Sequence, residues 1–460
     1  MSSVTALTLP ADTVRVVEPV RSDRRPIHRP FFFGAVLTVL TAGASWGATL
    51  LWQIGFHGRF TGVSIHAVNA HGHAQIYGWV GLFMMGFAYQ AFPRLWRTRL
   101  AAPPLATITF GLMCIGITVR SLLMPYAGSQ PAAVGALVGG LMELLACVLF
   151  VGQIAVTFTR RDRELSIEPY IGYVFAALTW LVAMAAMDVW FTYATMTAPD
   201  QDGLLWYVAT YQAPLRDLQI HGLALTMILG VSQRLLPRLF GVPAIPARRS
   251  WIALALLALG VAGESALFIA YRWMHNHVLA AFLLLPWLMI VIASVMIAWP
   301  WKLWRPLPVA DRSGKFVRVA YGWLALSLVM LLMLPVYMHL SGIPFSHAYY
   351  GAIRHAITVG FISMMILGMA PKLLTRWHEP AGSKLPGLWG PFLLVNVGCF
   401  LRCAMQIGTD WHPGFFPLVG ISGTLEVIGL TWWSVHLVSQ MRTPFRTACG
   451  RKAAKMAALR

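Results

Sequence analysis

His347–Lys372 reads HAYYGAIRHAITVGFISMMILGMAPK. It is an apolar run long enough to cross a bilayer, whose ~30 Å core needs about 20 residues of helix. Yet it carries His347 near one end, Arg354 and His355 two turns inside, and Met364, Met365 and Gly368 beyond. Ionisable side chains inside such a run are costly to keep there and by default mark a site.

The rest of the chain has the same character. Of 460 residues 58% are hydrophobic and 11% charged, with mean hydropathy +0.66, whereas soluble domains carry about 25% charged residues. The expected fold is all-α and polytopic, with twelve spans near 31–54, 71–92, 103–124, 132–157, 170–193, 214–236, 251–272, 277–300, 317–340, 347–371, 386–407 and 415–440. The net charge of +19 is topological: 29 of the 35 lysines and arginines fall in the terminal segments or around the ends of even-numbered spans. By the positive-inside rule both termini are cytoplasmic. The chain divides into an N-terminal tail (1–30), a transmembrane domain (31–440) and a basic C-terminal tail (441–460), and nucleic acid is excluded as a partner. No short apolar segment with a cleavage site precedes Phe31, so the first span is expected to be retained.

Five cysteines make no disulfide framework: Cys114, Cys147, Cys399 and Cys403 fall within spans and Cys449 in the tail. Cys399 and Cys403 share a helical face, which suits a soft metal or two small buried hydrophobes. The connection 196–213, with Asp200, Asp202 and several aromatics, suits a cover over the bundle or an interfacial segment.

A faint repeat links spans two, six and ten. Met84-Met85-Gly86 is followed by Pro93-Arg94-Leu95; Met227-x-x-Gly230 by Pro237-Arg238-Leu239; Met365-x-x-Gly368 by Pro371-Lys372-Leu373. Each span enters from the outer face with histidine near its start: His71 and His73, His221, His347 and His355. His73 precedes Gly86 by thirteen residues, as His355 precedes Gly368. Imidazole is the commonest metal ligand and holds haem iron or copper through one ring nitrogen, and helical bundles build such sites from facing helices. His71 and His73, two apart on a helix, point to different sides. Gly351 leaves room between His347 and His355 for a flat macrocycle or for a packed helix. Asp217, four residues before His221, is placed to fix its tautomer or to pair with an arginine. Arg354 suits a haem propionate, an anionic ligand or an acidic partner among Glu143, Asp188, Glu264 and Glu426. Those acids suit a proton relay or helix-to-helix bonding.

At these residues the chain resembles the NnrS family. His71-Gly-His73-Ala-Gln-Ile-Tyr-Gly78 looks like the family's H-x-H-x-x-x-x-G motif, and His355-Ala-Ile-Thr-Val-Gly360 its H-A-L-T-V-G signature. Two features depart from the pattern: Ala74 replaces the usual acidic residue, and the H-T-G-R-like element beyond span ten is not intact, with His378 nearby. The resemblance implies a multi-pass protein of the bacterial inner (cytoplasmic) membrane, containing haem and copper and acting in the response to nitric oxide during denitrification or nitrosative stress. Its partners would be the bilayer, nitric oxide or a related small ligand, and an electron donor for any redox role. The segment 71–93 also resembles haem-binding helices of haem-copper oxidases and nitric oxide reductases. In that superfamily a His-His pair on the seventh span holds copper, and 251–272 contains no histidine. The expected haem ligands are His73 and His355, with Arg354 beside them; copper is expected at His221 and His347, then His71. A quinol- or cytochrome-linked nitric oxide reductase and a transporter using the intramembrane histidines and acids stand as alternatives, and the sequence does not fix whether the protein turns over a substrate.

Overall fold

The computed structural model describes residues 26–378 and 386–445. The tails expected at 1–30 and 441–460, with Cys449, lie largely outside the described residues. Twelve long helices fill them: α1 His28–His57, α2 65–95, α3 Pro103–Tyr126, α4 Gln130–Thr159, α5 Pro169–Met196, α6 Gln201–Phe240, α7 Ala247–Met274, α8 Val278–Trp301, α9 Gly314–Ser341, α10 His347–Trp377, α11 Trp389–Gly408 and α12 Pro413–Met441. Eleven are apolar and long enough to cross a membrane. In α2 the residues His71, His73, Gln75 and Gln90 dilute the hydropathy over a helix of equal length. The twelve-span expectation holds, and the fold is all-helical apart from one isolated bridge between His378 and Phe445 among the described residues.

One boundary moved. Helix α6 starts at Gln201, so most of the connection 196–213 is a helical extension of span six. Asp200 caps it, its carboxylate accepting the Gly203 amide at 2.7 Å, the usual remedy for the free N–H groups of a first helical turn. Trp206 packs edge-on against Trp273, whose indole donates to the Tyr211 hydroxyl at 2.7 Å.

The helices form three groups of four, α1–α4, α5–α8 and α9–α12. The last helix of each packs on the first of the next, and α12 returns to α1, closing a ring. The second helix of each group is the inner one: 72% of the apolar window of α10 is buried, against 28% for α8. Outer helices turn apolar stripes outward, such as Ile108, Ile115 and Leu122 at seven-residue spacing on α3. A stripe of this kind would be a liability in water and is the expected lipid face in a bilayer.

The groups repeat in detail. Gly86, Gly230 and Gly368 take the backbone-side atoms of Phe31, Tyr173 and Phe316 on the first helix of their own group, and a methyl at any of the three would overlap that neighbour. Four residues on, Gln90 accepts from His28 at 2.8 Å, Arg234 pairs with Glu168 at 2.6 Å and Lys372 with Asp311 at 2.6 Å. A π-helical segment occupies the same place in each inner helix: Ala74–Gly81, Leu218–Leu225 and Ala356–Ser363. Such segments occur disproportionately at functional sites. They make His73, Asp217 and His355 structural equivalents, each directly preceding its π segment.

Loops rich in arginine and lysine gather at one end, where Thr98 bonds the Arg160 carbonyl and Arg312 that of Pro386. Both ends of the described chain meet there: Arg29 donates to the Thr443 carbonyl at 2.7 Å. Charge bias places this face in the cytoplasm.

Candidate functional site

The third and fourth helices of each group carry a matched pair of positions. Gly116-x-x-x-Arg120, Gly260-x-x-x-Glu264 and Gly398-x-x-x-Arg402 lie on α3, α7 and α11. Each glycine lets in the side chain opposite: Glu143 of α4, Ile290 of α8 and Glu426 of α12. Three polar compartments result, one per group, each facing one inner helix and bordered by the next.

In the first compartment the His73 ring lies between two buried carboxylates. Its Nε2 is 2.8 Å from Glu143 and its Nδ1 3.5 Å from Asp188. Arg120, fully buried, meets Asp188 at 2.5 Å and Glu143 at 3.7 Å. The contact at 3.5 Å is electrostatic, since Nδ1 makes no hydrogen bond. One ligand atom each from His73, Glu143 and Asp188 fall within 4.8 Å of one another. However, the acids flank opposite nitrogens of the ring, and a metal ion takes only one of them. The group is arranged as an ion-pair network.

In the second compartment His221 Nδ1 donates to Glu264 at 2.8 Å, leaving Nε2 as an acceptor. Glu264 Oε2 is buried without a hydrogen bond. Asp217 does not accept from His221; it faces Arg354 at 3.5 Å and the Tyr350 hydroxyl at 3.5 Å. Arg354 also donates to Tyr350 at 2.8 Å and to the Ala213 carbonyl at 3.2 Å. Arg354 therefore serves the compartment of His221 and turns away from that of its neighbour His355.

The third compartment collects His355 from α10 and His71 from α2. Each ring donates Nδ1–H to a backbone carbonyl, His355 to Gly351 at 3.1 Å and His71 to Gly43 at 3.0 Å. A carbonyl only accepts, so the tautomer is fixed and each Nε2 keeps its lone pair. The two imidazoles are within electrostatic range of each other, and both of Arg402. The His71 ring rests on Gly47 of α1, where a methyl would overlap it. Arg402 Nε and Nη1, Gln406 Oε1 and Glu426 Oε1 are buried here without hydrogen-bond partners. An unmet buried polar atom costs about 1–3 kcal/mol, more if charged; the first compartment also has three, His73 Nδ1, Arg120 Nε and Glu143 Oε2, so what sets the third apart is its second imidazole.

The structure thus joins His71 to His355 and separates both from His73. His73 and His355 are equivalents under the threefold repeat, so they face different compartments, about a third of a turn apart. Among the described residues His221 is the one imidazole bonded in its compartment. His347 is exposed on the first turn of α10, edge-on to Phe345, and belongs to none of the three. Gly351 receives the Gln406 amide, so its missing side chain serves helix packing. Arg120 and Arg402 are partners that the sequence did not single out, while Glu264, expected as one possible partner of Arg354, bonds His221 and Arg354 meets Asp217 instead. The recurring Gly-x-x-x-Arg or Gly-x-x-x-Glu on the third helix of each group was the available signal.

Three rotationally related groups of four helices, with imidazoles on the inner ring, define a membrane protein of the haem-copper oxidase fold. Among solved structures, a haem-copper terminal oxidase seen as a dimer by cryo-electron microscopy matches with a TM-score of 0.69, covering 92% of this chain and 87% of that one at 13% identity. Such a likeness establishes architecture and leaves activity open. No curated protein matches the sequence. The chain belongs to the NnrS family, whose sequence pattern matches residues 26–444, nearly all of the described chain.

Proposed function

We propose that this protein is a haem-binding membrane protein of the nitric oxide response, with the haem in the third compartment between His71 and His355. One observation carries the reading: two imidazoles from separate helices, each with Nδ1–H tied to a carbonyl and Nε2 left free, beside the unpartnered atoms of Arg402, Gln406 and Glu426. This is the outer bonding that orients a metal-ligating imidazole and raises its basicity. When bound, haem iron would supply the affinity for nitric oxide and any redox capacity. His71 and His355 would hold the iron, and Arg402 would bring positive charge to the acidic substituents of the porphyrin.

Copper, also implied by the family, has one imidazole to meet in the second compartment: His221 Nε2, with Glu264 as its outer partner and a second, part-buried carboxylate in Asp217. A nitrogen-and-oxygen set of this kind suits a divalent ion better than a thiolate-seeking one. Where the superfamily has histidines on its seventh span, α7 offers Glu264. This favours binding or protective chemistry over steady reduction of nitric oxide. The bacterial inner membrane and a denitrifying or nitrosatively stressed cell are the setting this reading expects.

The test is a visible spectrum with iron and copper analysis of purified protein. His71→Ala and His355→Ala should each abolish or shift the Soret band. A full, unshifted band in both variants would refute the assignment.

A further inference from the structure

On the threefold axis, inside the ring of α2, α6 and α10, lies a cavity of about 130 Å³. Its walls are almost wholly apolar, including Val80 and Met84 of α2, Ala224 and Met227 of α6, and Ile362 and Met365 of α10. It begins near the inward ends of the three π segments and runs toward the cytoplasmic end. None of the three compartments uses it.

Its size and chemistry restrict the occupant. An apolar cavity of about 150 Å³ stays dry and admits benzene or xenon, because water there would lack the two to four polar partners it needs. A metal ion or an anion would find no ligand in these walls. The cavity is open on one side, so its walls and not its size exclude haem, whose propionates and iron would meet no charged or ligating atom there. The lining comes from the inner helices with Phe32 of α1, so the outer helices stand between the cavity and bilayer acyl chains. Small, neutral, weakly hydrogen-bonding molecules are what remain, and they partition into a bilayer and into methionine-lined space alike.

Position gives the cavity a use. Ala224 is three residues beyond His221 within the π segment of α6, less than one turn, and Ile362 is seven beyond His355 within that of α10, less than two turns. The void therefore abuts the inner side of the His221 compartment and lies close to that of His355.

We propose that the axial cavity is a reservoir for a neutral diatomic ligand of the nitric oxide class, feeding the metal-binding compartments from within the ring. This rests on the reading given under Proposed function, and the experiment separates the two. Crystals or grids of the full-length holoprotein would be pressurised with xenon, and nitrosyl formation after mixing reduced holoprotein with nitric oxide would be followed by stopped flow. The wild type should show xenon in the cavity. Ala224→Leu and Met365→Trp, which fill the void from different helices, should lose it and form the nitrosyl more slowly, with an unchanged Soret band before mixing. Absence of xenon in the wild type, an ordered hydrocarbon chain in its place, or unchanged nitrosyl formation in both variants would overturn the reservoir. Xenon in the cavity of a protein that takes no haem would overturn the haem assignment and uphold the cavity as a store for apolar gases.

Discussion

Replacing His71 and His73 separately is the sharpest test of the compartment assignment, because the two residues are only two apart and their expected losses differ in kind. His73→Ala removes the ring between Glu143 and Asp188, both buried. Losing a hydrogen bond to a buried charged group costs about 1.5–3 kcal/mol. Arg120 remains, 2.5 Å from Asp188 and 3.7 Å from Glu143, so about 2 kcal/mol is expected. With an unfolding entropy near 2 cal/mol/K per residue, that corresponds to a Tm about 2 °C lower for a chain of this length. Haem content should be unchanged. His71→Ala forfeits one hydrogen bond to the Gly43 carbonyl, a net ~1 kcal/mol, but removes an iron ligand. Soret absorbance per polypeptide and thermal unfolding, measured on both variants in the same detergent, decide the matter. If His73→Ala lost its Soret band while His71→Ala kept it, the assignment to compartments would be wrong.

Three further outcomes follow from the same geometry. Gly47→Ala should push the His71 ring off its seat on α1, at a cost of about 1–3 kcal/mol for overpacking, and should perturb the Soret band without touching a metal ligand; an unaltered spectrum would count against haem beside His71. At the cytoplasmic face burial pushes the Asp311 carboxyl up, but the Lys372 ammonium and the Ser313 amide outweigh it and hold it below its usual value. Its contribution to stability is therefore full above about pH 4 and lost as pH falls further, so Lys372→Met should flatten the decline in Tm between pH 5 and pH 3. Burial, helped by Arg29 and Arg94 and opposed by the bond to Thr443, lowers the His378 imidazole below its ordinary value near 6.5. The native state then binds fewer protons than the unfolded one, and stability falls as pH drops below about 6.5. Hydrogen exchange at 441–445 should quicken between pH 7.5 and 5.5 in the wild type and lose that dependence in His378→Phe.

Much of this fold is legible in one sequence because the bilayer demands it. Each span must satisfy its own backbone polar groups, so apolar runs such as His347–Lys372 declare themselves, and alternating charge gives their direction. The inner helices were legible too, since Gly86, Gly230 and Gly368 must each admit a neighbour and so recur with Met and Pro at similar offsets. The extension of α6 was not, because Gln201–Ala213 is polar and aromatic, and its helix is held by the Asp200 cap and by Trp273 from a distant span.

The site was harder to read, for a geometric reason. Matching offsets along α2 and α10 identify His73 and His355 as equivalents, and equivalence along the chain suggests partnership. In a ring with threefold repetition it means the reverse: equivalent residues point into successive compartments and cannot share an iron. The partner of His355 must instead lie on the far flank of the next inner helix, and stepping back two residues from His73 turns the side chain through about 200°, which is where His71 stands. The outer helices settle what each compartment then becomes. Asp188 gives the first a second acid, so Arg120, Glu143 and His73 each have an oppositely polar neighbour there, with His73 Nδ1, Arg120 Nε and Glu143 Oε2 left without hydrogen bonds. In the third compartment the next group's first helix is α1, where Trp46 stands fifteen residues beyond Phe31 as Asp188 stands beyond Tyr173, and Arg402 and Glu426 keep unmet polar atoms beside two free imidazole nitrogens. One repeat thus yields a network of acids and arginine around a single imidazole in one group and a site with two imidazoles in another, through the absence of an acid on α1 at the place of Asp188 and the arrival of His71.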